Sequence, residues 1–171
     1  MEEDLIIKLI IYLAPMYFAN SSAMLFGGKT PIDFGKNFLD GKRLFGDGKT
    51  FKGLFFGTLI GTIISAIILT FLPELTLLLT PNYLLLGFLL SGGALIGDIA
   101  GSFFKRRNEI KQGGEVLFLD QLDFVIGGMI IGSLVYVPTF YEIIYAIIIT
   151  LIVHRASNFV AYKIKLKKVP W

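Results

Sequence analysis

From Gly53 to Pro73 the chain runs 21 residues without a charged side chain, the length an α-helix needs to cross a hydrocarbon core of about 30 Å. Backbone N–H and C=O groups in lipid must bond within their own segment, so a spanning stretch of this kind folds as a helix. Four more stretches obey the same rule with few charges: about Leu5 to Leu25, Pro81 to Phe104, Asp120 to Tyr141 and Glu142 to Tyr162. The sequence thus predicts an all-α integral membrane protein of about five transmembrane helices, folded as a single domain over residues 1–171. Composition agrees, with 54% of residues hydrophobic, 17% charged and a mean hydropathy of +0.72, more apolar than a soluble chain of this size needs. The first residues, Met1 to Asp4, are acidic and no small-residue cleavage site follows the first apolar run, so that helix is expected to stay as an anchor. The sequence has no cysteine, which excludes thiolate chemistry and leaves oxygen atoms as the expected ligands of any metal.

Basic residues fix the expected orientation, because cytoplasmic connections hold the excess of Lys and Arg. Of the 16 Lys and Arg residues, 14 lie in three places: between the first and second stretches, between the third and fourth, and after the fifth. The alternate connections hold only Glu74 and Glu142. An outside N-terminus, a cytoplasmic C-terminus and a multi-pass location in the cell membrane follow. The net charge of +3 and pI near 9.1 do not point to nucleic acid, since basic residues beside spans serve topology and meet anionic lipid. Small residues at four-residue spacing, Gly57 and Gly61, then Gly93, Gly97 and Gly101, predict close helix packing.

Ionisable groups within a span are expensive and default to function. Asp98, Ser102, Lys105 and Arg106 stand at i, i+4, i+7 and i+8, one helical stripe running from the bilayer to its basic edge. Asp120 and Asp123, at i and i+3, open the next stretch on the same side. Three carboxylates at one depth suit a hard cation such as Mg²⁺, which takes one or two carboxylates together with substrate phosphates. Lys105, Arg106 and Lys111 would meet the remaining phosphate charge. A structural alternative pairs Asp98 with Arg155 and uses Asp120 and Asp123 to cap a helix. The connection from Phe26 to Lys52 is long for so small a chain and is expected to be a nucleotide loop at 26–52, with Phe34, Phe38, Leu44 and Phe45 able to dock it on the helices. Its segment Gly46-Asp47-Gly48-Lys49-Thr50 could offer N–H groups and a lysine to a polyphosphate, although the Walker A spacing is absent. Lys49 and Lys52 are the expected phosphate contacts, with Arg43, Asp47 and Thr50 beside them. His154, Arg155, Ser157 and Asn158 in the last stretch suggest either a polar cleft for a lipid phosphate or an arginine that snorkels.

The run Gly97-Asp98 through Ser102-Phe103-Phe104-Lys105-Arg106, then Lys111, then Asp120-Gln121-Leu122-Asp123, resembles the signature of the CTP-dependent phosphatidate cytidylyltransferases. Gln112 and Gln121 depart from it, as does a turn, Gly113-Gly114-Glu115, without histidine. The short five-span form and the segment Gly46 to Gly53 resemble the archaeal branch, the CDP-archaeol synthases. That resemblance implies transfer of CMP from CTP to digeranylgeranylglyceryl phosphate, an archaeal ether-lipid phosphate, with Mg²⁺, giving the CDP-lipid and pyrophosphate. It further implies Asp98, Asp120 and Asp123 as metal carboxylates, and Ser102, Lys105 and Arg106 on phosphates. CTP, the lipid phosphate and membrane lipids are the implied partners, with a homodimer as an open alternative. Phosphatidate stays an alternative acceptor. A small secondary transporter is the alternative from another class, disfavoured because the polar residues gather at the basic ends of the spans.

Overall fold

In the computed structural model, which describes residues 2–110, 114 and 116–165, every regular element is a helix. The elements are α1 (Glu2–Leu25), α2 (Phe51–Phe71), the short α3 (Pro73–Thr76), α4 (Tyr83–Arg107), α5 (Leu119–Gly132) and α6 (Phe140–Lys163). Four of them are long and apolar enough to cross a membrane: Leu5–Leu25 of α1, all of α2 and α4, and Phe140–Val160 of α6.

The stretch expected as a span from about Asp120 to Tyr141 holds a shorter helix than its apolar length suggests. It is helical for only 14 residues, about 21 Å at 1.5 Å per residue. Two local signals keep it from running on into the next helix. Pro138 disfavours helical geometry at Val137, and Thr139 opens the next helix with a capping box: its hydroxyl accepts from the Glu142 N–H, while the Glu142 carboxylate accepts from the Thr139 N–H at 2.7 Å. Antiparallel packing of α5 on α4 returns the chain to the end of the bundle at which α4 begins. Lys8 near the start of α1 pairs with Glu142 near the start of α6 at 2.7 Å, so those two helices begin at the same end of the bundle.

Tyr12, Met16, Tyr83, Leu86, Leu90 and Phe124 form a core between α1, α4 and α5 from which solvent is excluded. The buried Tyr83 hydroxyl donates to the Ile11 carbonyl at 2.6 Å, which removes the penalty of an unpaired polar group among apolar side chains. The small residues act as expected. A Cβ on Gly97 would collide with the Asp123 carbonyl oxygen, and one on Gly61 would lie 2.6 Å from the Pro15 carbonyl, so neither contact forms with a larger residue. By contrast, α6 leaves Ile152, Val153, Phe159 and Val160 exposed, surface suited to lipid tails.

The 26–50 connection is ordered and docked. Isolated bridges join Pro31 to Thr50 and Asn37 to Arg43. Phe38 and Phe45 pack on Phe103 of α4, and Phe34 on Phe51. The Arg107 guanidinium lies 4.4 Å from the Phe103 ring centre and 5.1 Å from that of Phe38, and it pairs with Asp40 at 2.6 Å. Cation–π stacking and an ion pair at one residue thus tie the loop to the end of α4.

Candidate functional site

Where the docked loop, α1, α4, α5 and α6 meet, they leave a cleft of about 630 Å³, within the range of small-molecule sites. From α4 come Asp98, Ser102 and Lys105, from α5 Asp120 and Asp123, and from the loop edge Asp47, Lys49 and Thr50. Asp98 reaches the cleft from mid-helix, because four residues of α-helix return a side chain to the same face. Lys49 Nζ donates to Asp98 Oδ2 at 2.6 Å, and the two side chains are 23% and 24% exposed. This corrects the structural alternative drawn from the sequence: the partner of Asp98 is Lys49 and not Arg155. Lys105 Nζ donates to both oxygens of Asp120, at 2.7 and 2.9 Å, and the Val116 N–H donates to Asp120 Oδ2 at 3.0 Å.

Asp123 sits deeper, one turn along α5. Its Oδ1 accepts the Phe124 N–H at 2.6 Å. Its Oδ2 occupies space that only a glycine at position 101 leaves open, so the tight α4–α5 contact is also what admits this carboxylate. Asp98, Asp120 and Lys49 all act on it electrostatically. Three carboxylates and two lysines therefore share one field. Among the described residues, however, no three acidic or imidazole groups stand close enough to close on a single ion.

The other residues read from the sequence are placed differently. Arg43 is engaged by Asp33 at 2.9 Å and by Asp47 at 2.6 Å, and it does not line the cleft. Lys52 is exposed on the first turn of α2 with its stem against Gly28. Arg106 departs from the stripe: it does not line the cleft, and its Nε is buried without a hydrogen-bond partner among the described residues. Arg155 is exposed, while its neighbours His154, Ser157 and Asn158 line the cleft. Lys111 lies outside the described residues. Thr50 has a structural duty, accepting the N–H groups of Gly28 and Gly53, each at 3.1 Å, as the N-cap of α2.

Sequence reasoning missed Asp33. Its side chain is fully buried under the loop. Oδ1 accepts from the Gly35 N–H and from Arg43, while Oδ2 accepts from Arg43 Nε and from the N–H groups of Phe45 and Gly46, all at 2.9–3.0 Å. Burial by itself raises a carboxyl pKa. Here Arg43 and the Gly46, Phe45 and Gly35 amides outweigh it and hold Asp33 well below the usual carboxylate range. The only local sign was the Asp33-x-Gly35 spacing of an Asx turn. Gln121, where the resemblance expected arginine, is buried and lines the cleft beside Asp120.

With this geometry in view, a family model described as CarS-like: CDP-archaeol synthase matches residues 3–171. The chain belongs to the CDP-archaeol synthase family. Relatives of that name agree from end to end. One from Saccharolobus islandicus is 46% identical over 169 residues, covering 98% of this chain and 97% of its own. Others, from Methanocaldococcus jannaschii and Thermococcus onnurineus, are 44% and 45% identical, each covering 94% of both chains. A solved structure, described as an intramembrane enzyme for archaeal membrane lipids biosynthesis, superposes with a TM-score of 0.78 at 36% identity. It covers 87% of this chain and 91% of its own. The family match spans the docked loop, the α4 stripe and α5.

Proposed function

We propose that this chain transfers a cytidylyl group from CTP to the phosphate of an archaeal ether lipid, digeranylgeranylglyceryl phosphate, giving the CDP-lipid and pyrophosphate. The observation that carries this reading is the single cleft in which Asp98, Asp120 and Asp123 face Lys49 and Lys105. Polyphosphate transfer asks mainly for alignment and charge neutralisation. A lipid phosphate oxygen, already ionised near neutral pH, attacks the α-phosphorus of CTP. The bond from that phosphorus to the bridging oxygen breaks, and pyrophosphate leaves with the electron pair. No general base is required.

The donor set suits Mg²⁺ through its oxygen chemistry. Because the three carboxylates do not close on one point, such an ion would be held by one or two of them, with substrate phosphate and water completing its shell. When bound it supplies Lewis-acid polarisation of phosphoryl oxygens. The chain's own residues do the rest. Lys49 and Lys105, which pair with Asp98 and Asp120, would be the cations that meet the β- and γ-phosphates. The exposed apolar face of α6, beside the cleft-lining His154 and Asn158, gives the lipid tails a place in the bilayer while its phosphate reaches the cleft.

The cleft is assigned to the cytoplasmic face. This rests on the 14 basic residues in alternate connections and on CTP being a cytoplasmic nucleotide. A cysteine replacing Lys36 should react with a membrane-impermeant thiol reagent only after permeabilisation. The catalytic reading is tested with purified protein in detergent, CTP, Mg²⁺ and either the archaeal ether-lipid phosphate or phosphatidate. CDP-lipid and pyrophosphate should form in equal amounts, faster with the ether lipid. CTP left unconsumed with both acceptors would sink the proposal.

A further inference from the structure

We propose that Asp33 is a positioning residue for the polyphosphate of the nucleotide: buried beneath the loop, it sets the segment Gly46 to Thr50 against Asp98 before any nucleotide arrives. The inference rests on the nucleotide site proposed above. Its basis is that the cleft edge from Gly46 to Thr50 is pinned at both ends. At the start, the Gly46 N–H donates to Asp33 Oδ2 at 3.0 Å, and Gly46 takes φ +98°, a backbone shape that residues with a Cβ rarely adopt. At the end, the Thr50 hydroxyl gathers the Gly28 and Gly53 amides. Between the two pins stand Asp47, which lines the cleft, and Lys49, whose Nζ lies 2.6 Å from Asp98.

Asp33 also acts through Arg43. The guanidinium donates to both Asp33 oxygens and to Asp47 Oδ1, the last at 2.6 Å, so the same buried carboxylate fixes Asp47 through one intermediary. Arg43 is not free to meet a phosphate while it makes these bonds, which turns a residue read from the sequence as a phosphate contact into part of the brace. The Arg43 carbonyl accepts from Arg107 at 2.6 Å, tying the brace to α4, the helix that carries Asp98. The nucleotide edge is therefore prebuilt, and binding loses little conformational entropy in ordering it.

The test replaces Asp33 with Asn, which keeps the shape and removes the charge. Binding of CTP and of inorganic tripolyphosphate should weaken at least about tenfold, within the hundredfold that a misplacement of about 1 Å can cause. KM for CTP should rise by a similar factor while KM for the lipid phosphate stays within twofold. In the background of Lys49→Gln, Asp33→Asn should add almost nothing, because Lys49 is what it positions. Gly46→Ala strains the same segment through its positive φ while leaving the Asp33 carboxylate in place, and a Cβ there meets nothing within 4 Å. It should reproduce the CTP effect even if the Asp33 variant does not fold. Equal changes for both substrates, full additivity with Lys49→Gln, or a silent Gly46→Ala would overturn the proposal. Wild-type protein that binds neither CTP nor tripolyphosphate would instead overturn the nucleotide site itself.

Discussion

At one end of the bundle Lys8 and Glu142 pair at 2.7 Å; at the other Lys49 and Asp98 pair at 2.6 Å. The bonds are alike and the surroundings are not. Glu142 is closed in: its oxygens also accept from the Tyr136 hydroxyl and the Thr139 N–H, and its side chain is 7% exposed. Lys8 lies 5.0 Å from the Tyr136 ring centre, so that polar set is used up in joining α1 to α6. Asp98 has the same charge and a comparable partner but opens onto a cleft with Asp120 and Asp123 beside it. An ion pair in a membrane bundle is thus no sign of chemistry by itself. What separates brace from site is whether the partners can leave each other for something that enters.

The largest effect that would break this comparison lies at the open end. Asp98→Asn, Asp120→Asn and Asp123→Asn should each lower cytidylyl transfer by about 100-fold or more, the scale seen when a preorganised charge at a reacting centre is removed. Thermal unfolding in detergent should change little for Asp98→Asn and Asp120→Asn, whose pairs are partly exposed. Retained activity in all three, or loss that tracks unfolding, would erase the distinction between the two ends.

At the closed end the expectation reverses. Glu142→Gln should destabilise the fold by about 1 to 3 kcal/mol. That is less than the 3 to 5 kcal/mol for breaking a fully buried pair, because the Lys8 side chain keeps 23% exposure and can reach water. The KM for CTP should not move. Combining it with Lys8→Met should recover most of the loss, since no unpaired charge is then left. A fall in activity without a fall in melting temperature would show that the closed end takes part in the reaction after all.

The smallest effect concerns pH and the loop. Asp33 is held below its ordinary carboxylate value, so its contribution to stability is present above the unfolded value of about 3.9 and is lost as pH falls toward the folded one. Protease resistance of the 26–50 segment should be the same at pH 7 and pH 5 and decline only below about pH 4. A decline already complete at pH 5 would mean that the brace does not depend on an ionised Asp33.

Much of this was legible in the chain itself. Charge-free runs such as Gly53 to Pro73 leave a membrane helix as the one way to satisfy the backbone in lipid, and helical periodicity put Asp98, Ser102 and Lys105 on one stripe whatever packs against it. Glycines at 97 and 101 announced a close helix contact for the same local reason. Tertiary structure decided the rest, because it turns on which groups meet across long separations. That Asp98 takes Lys49 and not Arg155, 49 residues away in one direction instead of 57 in the other, depends on the loop folding back over α4. That Arg106 leaves the stripe while Gln121 joins the cleft depends on the rotation of α4 and α5 about their glycine contact, which periodicity does not fix. Asp33 looked like any polar loop residue, since burial under a loop is a property of how the loop docks. The early end of α5 falls between the two cases: Pro138 and the Thr139-x-x-Glu142 capping box were present in the sequence, but mean apolarity over the stretch concealed them.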